Sequence, residues 1–184
     1  MFIDRAELYE VVGKANELIF ATRRGRSEAP TVMNNEKQGL LQDDTQLVAG
    51  DLVKNTKSGV SYFIQAKQQS TEATACQLRK INANIEIQHL SKHFNNGSID
   101  YYVVASKLKD IEASHIEITA KMQQYDLGLL STTTVAFITQ VVDVKLTDRI
   151  VFNGVNYIVN SVNTSKYEGL LYVQCAPDNG RVVR

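Results

Sequence analysis

Thr147-Asp148-Arg149-Ile150-Val151-Phe152-Asn153-Gly154-Val155-Asn156-Tyr157-Ile158-Val159-Asn160-Ser161-Val162 places two runs of β-branched and aromatic residues on either side of an Asn-Gly pair. Asn-Gly in that setting is a strong hairpin signal, because both residues tolerate the positive φ that a two-residue turn demands. Strands are therefore expected over 148–152 and 155–162, with another over 170–175. The same language extends backwards through the chain. Residues 51–54, a turn over 55–59 and residues 60–66 read as a hairpin, and strands over 74–81 and 84–90 flank Asn82-Ala83. A turn over 92–98, containing Asn95-Asn96-Gly97, leads to a strand over 99–105; 114–120 alternates with period two, and 133–145 begins the last unit. The two prolines, Pro30 and Pro177, fall outside these strands, as a ladder of backbone donors requires.

The hairpin has an echo about a hundred residues earlier. Gly50-Asp51-Leu52-Val53, a turn, Tyr62-Phe63-Ile64, a polar turn and a strand near Cys76 and Leu78 parallel Thr147 through Val151, a turn, Tyr157-Ile158-Val159, a polar turn and 170–175. Each copy enters a strand at an aspartate and begins the return strand with an aromatic residue, which suits a small barrel or curled sheet. Duplication and convergence on a good hairpin both account for the match.

Before residue 50 the pattern differs. Asp4 and Glu7 have capping-box spacing, Ile3 and Leu8 stand at staple positions, and Leu8, Val11, Val12, Ala15, Leu18 and Ile19 form a stripe at helical spacing. This predicts a helix from about Arg5 to Ala21. Arg23, Arg24 and Arg26 around Gly25 suit a helix C-terminus, or alternatively a patch for phosphate or an acidic partner. Residues 27–49 are polar and aperiodic and read as an extended arm or long loop.

The expected fold is therefore mainly β: antiparallel barrel or sandwich units, one or two in tandem, with an N-terminal α-helix and long loops. The expected divisions are 1–49 for helix and arm, 50–120 for a first β unit, 121–132 for a loop, 133–178 for a second β unit packed with 98–120, and 179–184 for a tail.

Composition limits the function classes. Twenty basic residues balance twenty acidic ones in 184 residues, so total charge supplies no strong attraction to nucleic acid or anionic membrane. The N-terminus lacks the apolar segment of a signal peptide, and no run approaches the roughly 20 apolar residues that cross a bilayer. Cys76 and Cys175 stand far apart without ligands at metal spacing, which argues against a disulfide scaffold or zinc site. No nucleophile elbow, zincin motif or phosphate-cradling glycine loop is present, so neither an enzyme nor a cofactor is expected. His89, His93 and His115 read as surface histidines, and Asp43-Asp44 as a solvated pair. Tyr62, Phe63, Tyr101, Tyr102, Tyr157 and Tyr172 could stack single-stranded nucleic acid, but their apolar context favours burial in a core.

The unit 147–162 resembles the recurrent strand-hairpin signature of tailed-bacteriophage neck proteins, above all the head-closure (stopper or head-tail joining) family. Gly50 through Gln65 and the stretch 77–87 are similar to the related barrel of neck and connector components. The resemblance covers about half of the chain. It implies a virion structural protein, made in the host cytoplasm, that forms a ring, usually of twelve copies, between portal or adaptor and tail. Packaged double-stranded DNA would pass its lumen without sequence readout, with no membrane involved. Polar loops carrying Gln68 and Gln69, and Tyr125 and Leu129, would then make inter-subunit or gating contacts. A tail-terminator or baseplate adaptor and an oligonucleotide-binding barrel are the alternatives.

Overall fold

In the computed structural model, residues 3–22, 35–70, 73–180 and 183 are described. Among the described residues, twelve strands form two closed antiparallel barrels, one in each of two compact units, Met1–Ile81 with Tyr167–Leu170 and Asn82–Lys166 with Leu171–Arg184. The first barrel contains β1 (Ile3–Val11), β2 (Glu17–Thr22), β3 (Glu36–Leu41), β4 (Leu52–Asn55), β5 (Ser61–Gln69) and β6 (Thr74–Lys80). The second contains β7 (Ala83–Asn95), β8 (Ser98–Glu117), β9 (Val135–Gln140), β10 (Arg149–Phe152), β11 (Val155–Asn163) and β12 (Leu170–Pro177). A short helix, α1 (Ala120–Tyr125), precedes β9.

Both barrels are wired alike. Each is two three-stranded meanders, β1–β2–β3 with β4–β5–β6 and β7–β8–β9 with β10–β11–β12, joined through their first strands (β1 to β4, β7 to β10) and their third (β3 to β6, β9 to β12). The sequence echo falls at the same place in both, the entry to the second meander. There the chain repeats one arrangement in detail. Gly50 and Thr147 both take positive φ, and the carboxylates of Asp51 and Asp148 accept the backbone N–H three residues earlier, from Val48 at 2.8 Å and Lys145 at 2.7 Å. The carbonyls of the two aspartates then accept N–H groups from Ile64 at 2.8 Å and Val159 at 2.9 Å. The Asn153-Gly154 turn has φ of +50° and +77°, as a primed hairpin turn requires.

The expected N-terminal helix is instead the β1–β2 hairpin. Tyr9, Val11 and Ile19 are fully or almost fully buried, whereas Leu8 and Val12, members of the supposed helical stripe, are exposed. The i, i+2 alternation into the barrel wins because β-branched and aromatic residues are mediocre helix formers, and a lone helix here would pack against nothing comparable. Gly13, at φ +75°, turns the chain where the helix would have continued, and Asp4 lies within a strand rather than at a cap.

The expected arm also yields a strand. β3 lies between β2 and β6, with Gly39 close under Ile19: a Cβ at Gly39 would stand 2.5 Å from Ile19 Cγ2. The boundary expected near residue 50 thus falls inside the first barrel, and the units divide after Ile81. Strands expected at 99–105 and 114–120 are parts of the single strand β8, the expected 92–98 turn is mostly strand, and Pro177 ends β12.

The first core gathers Tyr9, Val11, Ile19, Leu41, Leu47, Val53, Ile64, Cys76 and Leu78. The second gathers Ile85, Ile87, Val135, Phe137, Ile150, Val159, Leu171, Val173 and Cys175 among others. Inward-facing apolar residues alternate with outward polar ones, as in β4 and β6, which is what closes a barrel around side chains rather than around a channel.

Candidate functional site

The most conspicuous departure from a plain barrel is the β7–β8 ribbon. β10 pairs with β7 only at Glu86–Gln88, and β9 pairs with β8 only at Ala113–Glu117. Beyond those points the two strands pair with each other, from Leu90↔Val104 to Asn95↔Ser98, and turn at Asn96-Gly97. Cross-strand partners share a face. Leu90/Val104, Lys92/Tyr102 and Phe94/Ile99 therefore lie on one face, and Ser91/Val103, His93/Tyr101 and Asn95/Ser98 on the other. The first is largely apolar; Phe94 and Ile99 on it are 58% and 44% exposed. On the second, the His93 and Tyr101 rings stack with centroids 4.2 Å apart.

A second feature is a recess of about 550 Å³ on the first barrel, with Leu8, Lys37, Asn55, Lys57 and Tyr62 among its lining. Glu7 projects from β1 and its Oε2 accepts hydrogen bonds from the Tyr9 hydroxyl and Asn55 Nδ2, both at 2.9 Å, and from Lys37 Nζ. Burial, the largest cause, pushes the Tyr9 hydroxyl far above its ordinary range. Asn55 is itself locked, because its Oδ1 accepts from the Lys57 and Ser58 N–H groups and the Ser58 hydroxyl. A carboxylate held by three donors is a poor proton acceptor, so this cluster reads as a structural clasp between β1, β3 and β4 rather than a general base.

Arg79 is held in the same manner. Its Nε donates to Gln65 Oε1 at 2.6 Å and its Nη2 to Glu36, whose other oxygen accepts from Gln77 Nε2 at 2.7 Å. Among the described residues no group of three His, Cys, Asp or Glu is arranged to hold a metal ion, and no helix is long and apolar enough to cross a membrane.

Two of the three histidines depart from the surface reading. His89 Nδ1 lies 2.8 Å from Asp148 Oδ2, with the imidazole only 15% exposed. His115 packs against Phe137 and Phe152, with ring centroids 5.5 and 4.8 Å away, and burial lowers its pKa. Their strands turn these side chains toward the barrel, a placement that their polar neighbours in sequence conceal. His93 is exposed on the ribbon.

The expected interaction residues are not one cluster. Gln68 and Gln69 are exposed at the end of β5, opposite Ala75 and Thr74, in the first unit. Tyr125, 74% exposed, ends α1, and Leu129 is half-buried in the following turn, both in the second unit. That turn is held by the buried Gln174, which accepts from Leu130 N–H and donates to the Gly128 carbonyl, while Lys166 bonds Asp126 at 2.9 Å and holds its carboxyl below the usual range. Arg23, Arg24 and Arg26 lie outside the described residues. Of the aromatic candidates, Phe63 and Tyr172 are buried and Tyr62 and Tyr157 are packed against the cores, so the described candidates on the ribbon are Tyr101 and Tyr102.

No protein-family model and no curated protein matches the chain. Among solved structures, the Bacillus subtilis inhibitor of motility MotI/DgrA is matched over 97% of this chain and 90% of that one, at 11% identity and a TM-score of 0.24. A likeness of that size carries no argument.

Proposed function

We propose that this chain is a structural protein that assembles with copies of itself into a ring, in the setting the sequence resemblance implies: the neck of a tailed phage, between portal or adaptor and tail. The observation that supports this reading is the β7–β8 ribbon, which outruns its barrel neighbours β9 and β10 and carries the exposed apolar side chains Phe94, Ile99 and Val103. Clustered exposed apolar side chains are liabilities that proteins cover or employ. Two closed barrels with filled cores fit a building block better than a container for a small ligand.

Light scattering on the purified chain, with electron microscopy of virions labelled on it, tests the reading. A discrete oligomer in solution and label at the head–tail junction are expected. A strict monomer at every concentration would remove self-assembly, and label at the tail tip or its absence from particles would remove the neck.

A further inference from the structure

Glu7, Lys37 and Asn55 meet at the mouth of the first barrel, although they come from β1, β3 and β4. The register turns each of them inward. Glu7 stands two residues before the buried Tyr9, Asn55 is the cross-strand partner of Tyr9, and Lys37 is the partner of the buried Leu78. β3 and β4 are not neighbours in the barrel, so Lys37 reaches toward Asn55 across its interior. There the Lys37 ammonium and the Asn55 amide nitrogen both donate to one atom, Glu7 Oε2. Two donors on the same oxygen stand about 4–5 Å apart, which leaves the amine roughly 1–2 Å from the distance at which a reacting pair begins.

The Asn55 amide is held as a substrate would be. Its oxygen accepts from the Lys57 N–H at 3.1 Å, the Ser58 N–H at 2.8 Å and the Ser58 hydroxyl at 3.0 Å. Three donors aimed at one carbonyl oxygen are what stabilises the oxyanion of a tetrahedral adduct. Asn55 is 4% exposed, and the wholly buried Tyr9 beside it meets Tyr62 edge to face, so water is largely kept from the amide carbon. The Tyr9 hydroxyl also accepts from Lys37 Nζ at 3.1 Å and fixes the amine in place.

We propose that the Lys37 amine displaces ammonia from the Asn55 side chain, and that the folded chain thereby acquires a permanent amide cross-link between β3 and β4. Glu7 Oε2 first takes a proton from the Lys37 ammonium. The freed amine attacks Asn55 Cγ, and the oxyanion of the adduct is held by the Lys57 and Ser58 donors. Glu7 then passes its proton to Nδ2 and takes a second one from Nζ. The Cγ–Nδ2 bond breaks, the new Nζ–Cγ bond becomes an amide, and ammonia leaves with that second proton as ammonium, through the recess these side chains line. No oxidant, reductant or co-reactant enters, and Glu7 ends as the carboxylate it was. Its donors make it a poor base toward solvent, but two of them are the very groups between which the proton moves. An event that happens once per molecule tolerates a slow relay, since the fold already supplies the proximity. The product ties the first meander of the barrel to the second by a bond that denaturant does not break.

Mass spectrometry of the full chain, purified folded and measured in denaturant, tests this. The chain is expected to be lighter than its sequence by one ammonia, and its digest to contain a branched peptide joining Lys37 to Asn55. Lys37→Arg is expected to keep the full mass, which separates this loss from succinimide formation at Asn96-Gly97 or Asn153-Gly154. Glu7→Gln, with its fold checked by circular dichroism, is expected to form the branched peptide on the order of 100-fold more slowly. A folded unsubstituted chain that keeps its full mass through days at neutral pH overturns the proposal. Ammonia loss without a branched peptide does the same, as does a branched peptide lighter by water, which would join Lys37 to Glu7. An unchanged rate in Glu7→Gln overturns the relay.

Discussion

Replacing Asp148 and Asp51 by alanine should not be equivalent, although the two carboxylates hold the chain in the same way. Each accepts the N–H three residues before it, and a hydrogen bond to a charged acceptor contributes about 1.5–3 kcal/mol. The cations differ. Lys14, 2.6 Å from Asp51, is 31% exposed, so it turns to water when the carboxylate is removed, and a surface pair of that kind adds less than about 1 kcal/mol. His89 is 15% exposed, and Asp148→Ala leaves its Nδ1 without that partner in a site water reaches poorly, which costs about 1–3 kcal/mol more. Asp51→Ala is therefore expected to lose about 2 kcal/mol and Asp148→Ala about 3–5 kcal/mol, with Asp148→Asn between because it keeps one acceptor. The chain has two compact units, so one global transition is not assured, and each barrel is best followed separately in urea by labelling its own thiol, Cys76 or Cys175. Equal losses at the two positions, or a loss under about 1 kcal/mol at Asp148, would refute the reasoning.

Burial lowers the pKa of His115 from its ordinary 6.5, so below that pH the unfolded chain binds a proton that the folded one refuses; stability should fall as pH drops from about 7 to 5, and His115→Gln should flatten that slope in urea titrations at several pH values. The Ser114 hydroxyl is buried with no hydrogen-bond partner, so Ser114→Ala should be neutral or stabilising by about 0.5–1 kcal/mol by thermal melting, where an ordinary buried serine would lose stability. Burial pushes both thiols up to about 12, so a thiol reagent at pH 8 should label neither cysteine in the folded protein and both in denaturant.

The sequence discloses the second meander of each barrel well, because its signals are local: an aspartate at the strand entry, a turn of Asn and Gly, and alternating β-branched residues on both sides. It misleads at β1 and β2, where Leu8, Val11, Val12, Ala15, Leu18 and Ile19 satisfy a helical period that only barrel closure overrules. β3 escapes notice because its inward positions are a glycine and a leucine among polar residues, and glycine carries no hydrophobic signal. The Glu7–Lys37–Asn55 clasp joins residues up to 48 positions apart, and the His89–Asp148 pair spans 59; neither spacing leaves a periodic trace. The ribbon was half visible, in that Asn96-Gly97 marks its turn, but nothing local says that the strands outrun their neighbours.

By strand order, β7–β8 is the counterpart of β1–β2, whose turn sits close to the barrel wall at Gly13. One copy of the wiring thus keeps the connection short while the other has extended it, with the interior pattern left alone. Substitutions along the extension come at little expense to either core, and a transplant of 90–104 into the 12–16 turn would give a chain with two such ribbons instead of one.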